Sequence, residues 1–260
     1  MEIRLDGRTA LVTGASAGLG LAMARRFAAS GARVAILARR PDVLEAAART
    51  CAAAGGSEVL AVPADVRDAA QLEAAHRAVA DKLGPVDILV NNAGTSAASP
   101  FLAVSDDDWQ ADLDLKLFAA IRLCRLVLPD MRARRWGRII NVLNIGAKAP
   151  AAGGAPTAVS RAAGMALTKA LASEMAPDNV LVNALCTGLL VSEQWERRHA
   201  AGGDGTTFDD FVERVGRRVP LGRMGDPEEF ANLACFLASD AASYLTGTAI
   251  NVDGGLCPVV

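Results

Sequence analysis

Between Thr9 and Gly20 a short apolar run breaks into three glycines, Gly14, Gly18 and Gly20, and a long helical pattern starts behind them. Buried strand, glycine turn and helix, in that order, suit a dinucleotide pyrophosphate. Bare backbone turns tightly and approaches the phosphates, and the helix N-terminus offers unpaired N–H groups and the positive end of its dipole. The glycines would say little alone; the strand before them and the helix after them give them meaning.

The rest of the chain supplies partners for that first strand. Apolar runs predict further strands over 33–38, 58–63, 86–91, 137–143, 180–185 and 247–252. Between them, helical patterns predict helices over 18–30, 41–54, 68–83, 105–135, 157–175 and 227–237. Pro41 sits in a first turn, the Gly55-Gly56 pair reads as a stop, and Ser105-Asp-Asp-Asp108 places a cap and acidic groups at the positive end of the long helix. Short strands alternating with helices imply a parallel sheet covered on both faces, with ligands beyond the carboxyl ends of the strands. A polar, glycine-bearing stretch over 187–220 breaks the alternation and reads as the segment that covers a substrate.

Composition narrows the class. The net charge of −2, with no run of Lys or Arg, speaks against nucleic acid or an anionic membrane surface as partner. The N-terminus is charged from the start, which is not a signal peptide, and no apolar stretch reaches membrane-spanning length. Five scattered cysteines without CxxC spacing read as reduced thiols in a cytoplasmic protein, with no disulfide frame and no metal site. One domain over 1–260 is expected.

Three motifs stand in order: Thr13-Gly-Ala-Ser-Ala-Gly-Leu-Gly20, Asn91-Asn-Ala-Gly94, and the tail from Pro227-Glu-Glu-Phe-Ala231 through Asp253-Gly-Gly255. On these the chain resembles the short-chain dehydrogenase/reductase family over essentially its whole length. The resemblance implies a single Rossmann-type α/β domain: a doubly wound parallel sheet of about seven strands with helices on both faces. It implies that Gly14, Ser16, Gly18, Leu19 and Gly20 surround the cofactor phosphates, that Asp65 and Val66 meet the adenine, and that Asn91, Ala93 and Gly94 line the way to the nicotinamide ribose. Gly188 joins them from the turn after the sixth strand, and Asn91 has an alternative role as a tie between strands. At the end of the second strand stands Ala38, where an NAD enzyme would carry an acid, followed by Arg39 and Arg40. Two guanidiniums can clamp a 2′-phosphate, so NADP(H) is expected over NAD(H).

The family's usual chemistry uses a tyrosine, a lysine four residues later, a serine and an asparagine. The matching positions here hold Thr157, Arg161, Asn144 and Lys116. An aliphatic hydroxyl is far less acidic than a phenol, so Thr157 is not expected to share the tyrosine's proton-transfer role at neutral pH, and the single tyrosine, Tyr244, belongs to the C-terminal motif. Asn144 can bond a substrate oxygen, and Arg161 can bind ribose hydroxyls without releasing a proton. Lys116 reads either as an acid or base with a depressed pKa near Arg161, or as an ion-pair partner of Asp112 on the same helix face. His76 reads as solvated, His199 as a surface group, and Cys186 as a small buried residue.

Three functions remain open on this reading. The first is an NADP(H)-dependent oxidoreductase acting on a carbonyl or alcohol, with an anionic substrate suited to the positive charge. The second is a non-redox lyase, isomerase or cyclase in the same pocket. The third is a silent subunit paired with an active relative. The resemblance implies a homo-tetramer built on the long helices and the last strand, or a hetero-oligomer with such a relative.

Overall fold

The computed structural model describes residues 2–55, 58–203 and 205–260. Seven strands, β1 (Thr9–Thr13), β2 (Arg33–Ala38), β3 (Val59–Pro63), β4 (Ile88–Asn91), β5 (Gly137–Asn144), β6 (Val180–Thr187) and β7 (Ala249–Val252), form one sheet in the order β3-β2-β1-β4-β5-β6-β7. Every pairing is parallel. Strand order reverses between β1 and β4, so a crevice opens past their carboxyl ends.

Alternation along each strand divides the core. From β1, Ala10 and Val12 pack into a layer with Met23 and Phe27 of α1 (Gly18–Ala29), Leu44 of α2 (Pro41–Gly55) and Phe230 at the far end of the chain. Leu11 points the other way, towards Leu72 and Val79 of α3 (Ala69–Leu83). Burial on both faces explains why the strands read as continuous apolar runs.

Two departures from the sequence reading matter for the site. The long helix predicted over 105–135 begins as α4 (Asp106–Leu113), capped by a Ser105–Asp108 capping box, and ends as α5 (Ala119–Ala133). Between them Asp114–Phe118 winds as one π-turn, and Lys116 lies within it. A single widened turn leaves the apolar pattern almost unchanged, so sequence periodicity does not reveal it; such turns are frequent at functional sites. The second departure is in the covering segment. It contains α7 (Glu193–Gly202) and α8 (Phe208–Gly216), which follow α6 (Thr157–Met175) and precede α9 (Pro227–Ala238). Smaller differences concern ends: β4 and β7 start two residues late, and β6 runs on to Thr187. Gly55 closes α2, while Gly56 lies outside the described residues.

Candidate functional site

The crevice is built on Thr13, the last residue of β1. Its hydroxyl donates to Val90 O at 3.2 Å and accepts from the backbone N–H groups of Asn92 at 2.9 Å and Ala93 at 3.0 Å. Asn92 reciprocates, its Nδ2 donating to Thr13 O at 2.8 Å and Gly14 O at 3.1 Å. The two loops that leave β1 and β4 are thereby locked to one another. They are also close: a Cβ on Gly14, whose φ is +64°, would sit 2.8 Å from Ala93 Cα. One on Gly20 would lie 2.3 Å from Gly14 O. Only bare backbone fits this turn.

Past the strand ends lie two grooves. The outer one, about 990 Å³, is lined by Gly14, Ser16, Arg39, Arg40, Asp65 and Val66, and by Ala93 and Gly94. The inner one, about 520 Å³, is lined by Gly18, Leu19 and Gly20 at the start of α1, by Gly188, and by Asn144, Thr157 and Arg161. Gly14, Gly94 and three residues of α7 (Glu193, Gln194, Arg197) border both, which joins them. The N-terminus of α1 has no side-chain cap, so its first amides are free for a ligand in the inner groove.

Asn91 and Lys116 stand apart from these linings. Asn91 turns into the sheet, where its Nδ2 donates to Asn141 Oδ1 at 2.8 Å; it ties β4 to β5. Lys116 has a fully enclosed side chain, ion-paired with Asp112, whose side chain is 2% exposed. Lys116 Nζ also donates to Thr157 Oγ1 at 3.1 Å, and Ser160 Oγ donates to Asp112 Oδ2 at 2.6 Å. Burial pushes the Lys116 pKa down; its bond to Asp112 opposes the shift and Arg161 adds to it.

Arg161 donates Nη1 to Val142 O at 2.7 Å, and its Nε is buried without a partner. Burial lowers its pKa to about 10, which leaves it charged at neutral pH. Its guanidinium packs on bare Gly94, where an added Cβ would come within 2.5 Å of Nη2. Gly94→Ala is therefore expected to displace Arg161 and strain its bond to Val142 O, so that nucleotide affinity in a direct titration and melting temperature both fall. Asn144 Oδ1 is buried, unpaired and turned towards Gly146.

Asp65 is engaged locally: Arg67 grips its carboxylate with Nε and Nη2, at 3.0 to 2.5 Å, and this bond holds its pKa below the usual range. His76 is half-buried on α3, and burial lowers its pKa, in contrast to the solvated role read from the sequence. His199 Nε2 bonds Thr206 O at 2.9 Å and its ring packs on Phe208 and Phe211, joining α7 to α8. Cys186 is buried with a raised pKa, and Tyr244 is fully exposed beyond α9.

Sequence reading missed Asn92, Ser160 and the α7 wall. Asn92 stood inside the quoted Asn91-Asn-Ala-Gly94 motif. For Ser160 no local signal exists, since its partner is 48 residues away.

The family model described as Enoyl-(Acyl carrier protein) reductase matches residues 14–257. The chain belongs to the short-chain dehydrogenase/reductase family. Oxidoreductase UcpA of Escherichia coli O157:H7 is 39% identical over 97% of this chain and 95% of its own length. The 3-oxoacyl-[acyl-carrier-protein] reductase FabG of Aquifex aeolicus is 33% identical over 98% and 100%. L-Sorbose reductase from Gluconobacter frateurii, solved with NADPH and L-sorbose, superposes with a TM-score of 0.95 at 36% identity, covering 100% of both chains. An NADPH-bound short chain oxidoreductase from Pseudomonas aeruginosa PAO1, described as containing an atypical catalytic center, gives 0.92 at 36% identity over 99% and 100%. Among the described residues, no helix of this family member is long and apolar enough to cross a membrane.

Proposed function

We propose that this short-chain dehydrogenase/reductase is an NADP(H)-dependent oxidoreductase that interconverts a carbonyl and an alcohol. In it Lys116, Asn144, Thr157 and Arg161 stand at the positions of the family's asparagine, serine, tyrosine and lysine. The observation that carries the reading is the Lys116–Thr157 hydrogen bond, because it joins an enclosed titratable amine to a hydroxyl on the groove wall. The Pseudomonas aeruginosa relative, by its description, combines bound NADPH with an atypical center, so the two are compatible in this fold.

The residues present fit a dinucleotide. Gly14 and Gly20 leave room that a Cβ would fill, and the open N-terminus of α1 faces the inner groove. Arg39 and Arg40 are exposed at the end of β2 and hold no ion pair among the described residues. Asp65, the nearby acid, is paired chiefly with Arg67, and Arg39 adds a weaker attraction to it. These residues would hold a nicotinamide dinucleotide, which would supply hydride to a carbonyl carbon.

The chain's own groups then manage the oxygen. Asn144, its Oδ1 turned away, has its amide N–H groups available to polarise the substrate oxygen. Thr157 Oγ1 accepts from Ala97 N–H at 2.8 Å and from Lys116, which fills both lone pairs and leaves its own proton to donate. As that proton leaves for the substrate, Lys116 replaces it, so a free alkoxide never forms. Arg161 offers ribose hydroxyls a donor that keeps its proton. Arg197, Arg198 and Arg218 line the inner groove against one acid, Glu193, and favour an anionic substrate.

Calorimetric titration of the nucleotide-free protein tests the cofactor. NADPH is expected to bind more tightly than NADH, and Arg39→Ala to weaken NADPH by about 10- to 100-fold, the loss of one charge-assisted bond. NADH binding should not change. Equal losses for both nucleotides would contradict the phosphate clamp.

A further inference from the structure

Lys116 is too enclosed to exchange its proton with water directly, so each turnover must return that proton by some route. Asp112 supplies one. It borders the outer groove only at its edge, with 2% of its side chain exposed, while Thr157 lines the inner one and Lys116 lies between them with no side-chain exposure. One oxygen of Asp112 accepts from Lys116 and the other from Ser160 Oγ at 2.6 Å. Ser160 is in turn anchored on its own helix, 3.1 Å from Thr157 O. Asp112, Lys116 and Thr157 thus form an unbroken hydrogen-bonded line from one groove to the other.

We propose that Asp112, held in place by Ser160, is a positioning residue that keeps Lys116 protonated and returns its proton from the outer groove after each reduction. The inference rests on the oxidoreductase reading above. In the forward step the Thr157 O–H bond breaks towards the substrate oxygen while a Lys116 N–H bond breaks towards Thr157 Oγ1. Lys116 is left neutral. Asp112 takes a proton from water in the outer groove and passes it to the amine, which restores the ion pair. One solvent proton has then entered the alcohol, and the electron pair has come with the nicotinamide hydride. The charged groups facing Lys116 are Asp112 from α4 and Arg161 from α6; the β4 end adds only Gly94. Among the described residues, Asp112 is therefore the one facing charge that favours the ammonium form.

Asp112→Asn keeps the shape and removes the charge. It is expected to move the alkaline limb of the reduction profile down by at least about one pH unit, tenfold in the acid equilibrium. It should also raise the solvent deuterium effect on kcat, with KM and NADPH affinity little changed. Ser160→Ala, which leaves the ion pair intact, should move the limb the same way by less. The double variant D112L/K116M replaces the pair by apolar groups, and is expected to fold and to be inactive. If Asp112 only braces the helix, kcat will fall in step with folded protein and the alkaline limb will not move, which overturns the proposal. Should D112N fail to fold, an unmoved limb in S160A overturns it equally. A wild-type protein that reduces no carbonyl with NADPH overturns the underlying reading; an active wild type with unmoved limbs overturns the proton route alone.

Discussion

Lys116→Met is expected to lower kcat for carbonyl reduction by about 10²- to 10⁴-fold, the usual worth of a positioned acid, with NADPH affinity nearly unchanged. The variant also leaves Asp112 buried without its counter-ion, which costs about 3–5 kcal/mol, so a lower melting temperature should accompany the loss. Two companions separate chemistry from folding. D112L/K116M removes both charges and is expected to recover the stability without the activity. Lys116→Arg keeps the ion pair but holds its proton too firmly to pass it on, and should be as slow as K116M. An active K116R would reduce the role of Lys116 to electrostatics.

The same residue sets the pH dependence. Burial and Arg161 hold the Lys116 pKa below the ordinary lysine value of 10.5, against the pull of Asp112. Reduction uses the protonated amine, so kcat/KM for reduction should be flat at low pH and fall as pH rises through that lowered value. Oxidation of the alcohol needs the neutral amine and should gain over the same range. Stability has its own sign. Between the folded pKa and 10.5 the unfolded chain binds more protons than the folded one, so Lys116 makes the fold gain stability as pH rises there.

Arg161→Ala is the second large effect. It removes the donor to Val142 O and leaves that buried carbonyl unpaired, a cost of about 1–3 kcal/mol before any cavity is counted. Cofactor affinity should fall as well, since the guanidinium packed on Gly94 lines the inner groove and is, on the proposed reading, the donor offered to the ribose. Its electrostatic signature runs opposite to that of D112N. Arg161 helps to lower the Lys116 pKa, so its loss should move the alkaline limb of the residual activity upwards. Thermal melts, nucleotide titrations and pH profiles on one preparation read all three. A limb that stays put would mean that the two cations do not sense each other.

The fold was legible because its signals are local. The apolar run ending at Thr13, the glycines behind it and the alternation of strands and helices each reflect burial within a few residues. The Asp112–Lys116 pair was legible for the same reason, being one helical turn apart. What stayed hidden depends on residues far apart in sequence. Lys116 meets Thr157 across 41 positions, and of the two roles open to Asn91 only its distant partner Asn141, 50 positions on, decides for the tie between strands. The helices α7 and α8 were missed because their apolar residues serve chiefly each other. Trp195 and His199 pack on Phe211 at 6.1 and 5.2 Å, giving a small satellite cluster where the sequence reads as polar loop. The π-turn at Lys116 changes the winding of one turn only, too little to alter a hydrophobic period.

On the proposed function, this chain alone transfers hydride from NADPH and completes the alcohol with a proton delivered through Lys116 and Thr157. The most direct measurement uses NADPH deuterated at the transferring carbon, the purified protein, and a panel of keto acids with neutral ketoses as controls. Mass spectrometry then follows deuterium into product. NADP⁺ and singly deuterated alcohol are expected in equal amounts, with keto acids favoured, and no such product from K116M. Tightly bound NADPH that stays reduced across the panel, or a substrate transformed without gaining deuterium, would contradict the proposed function.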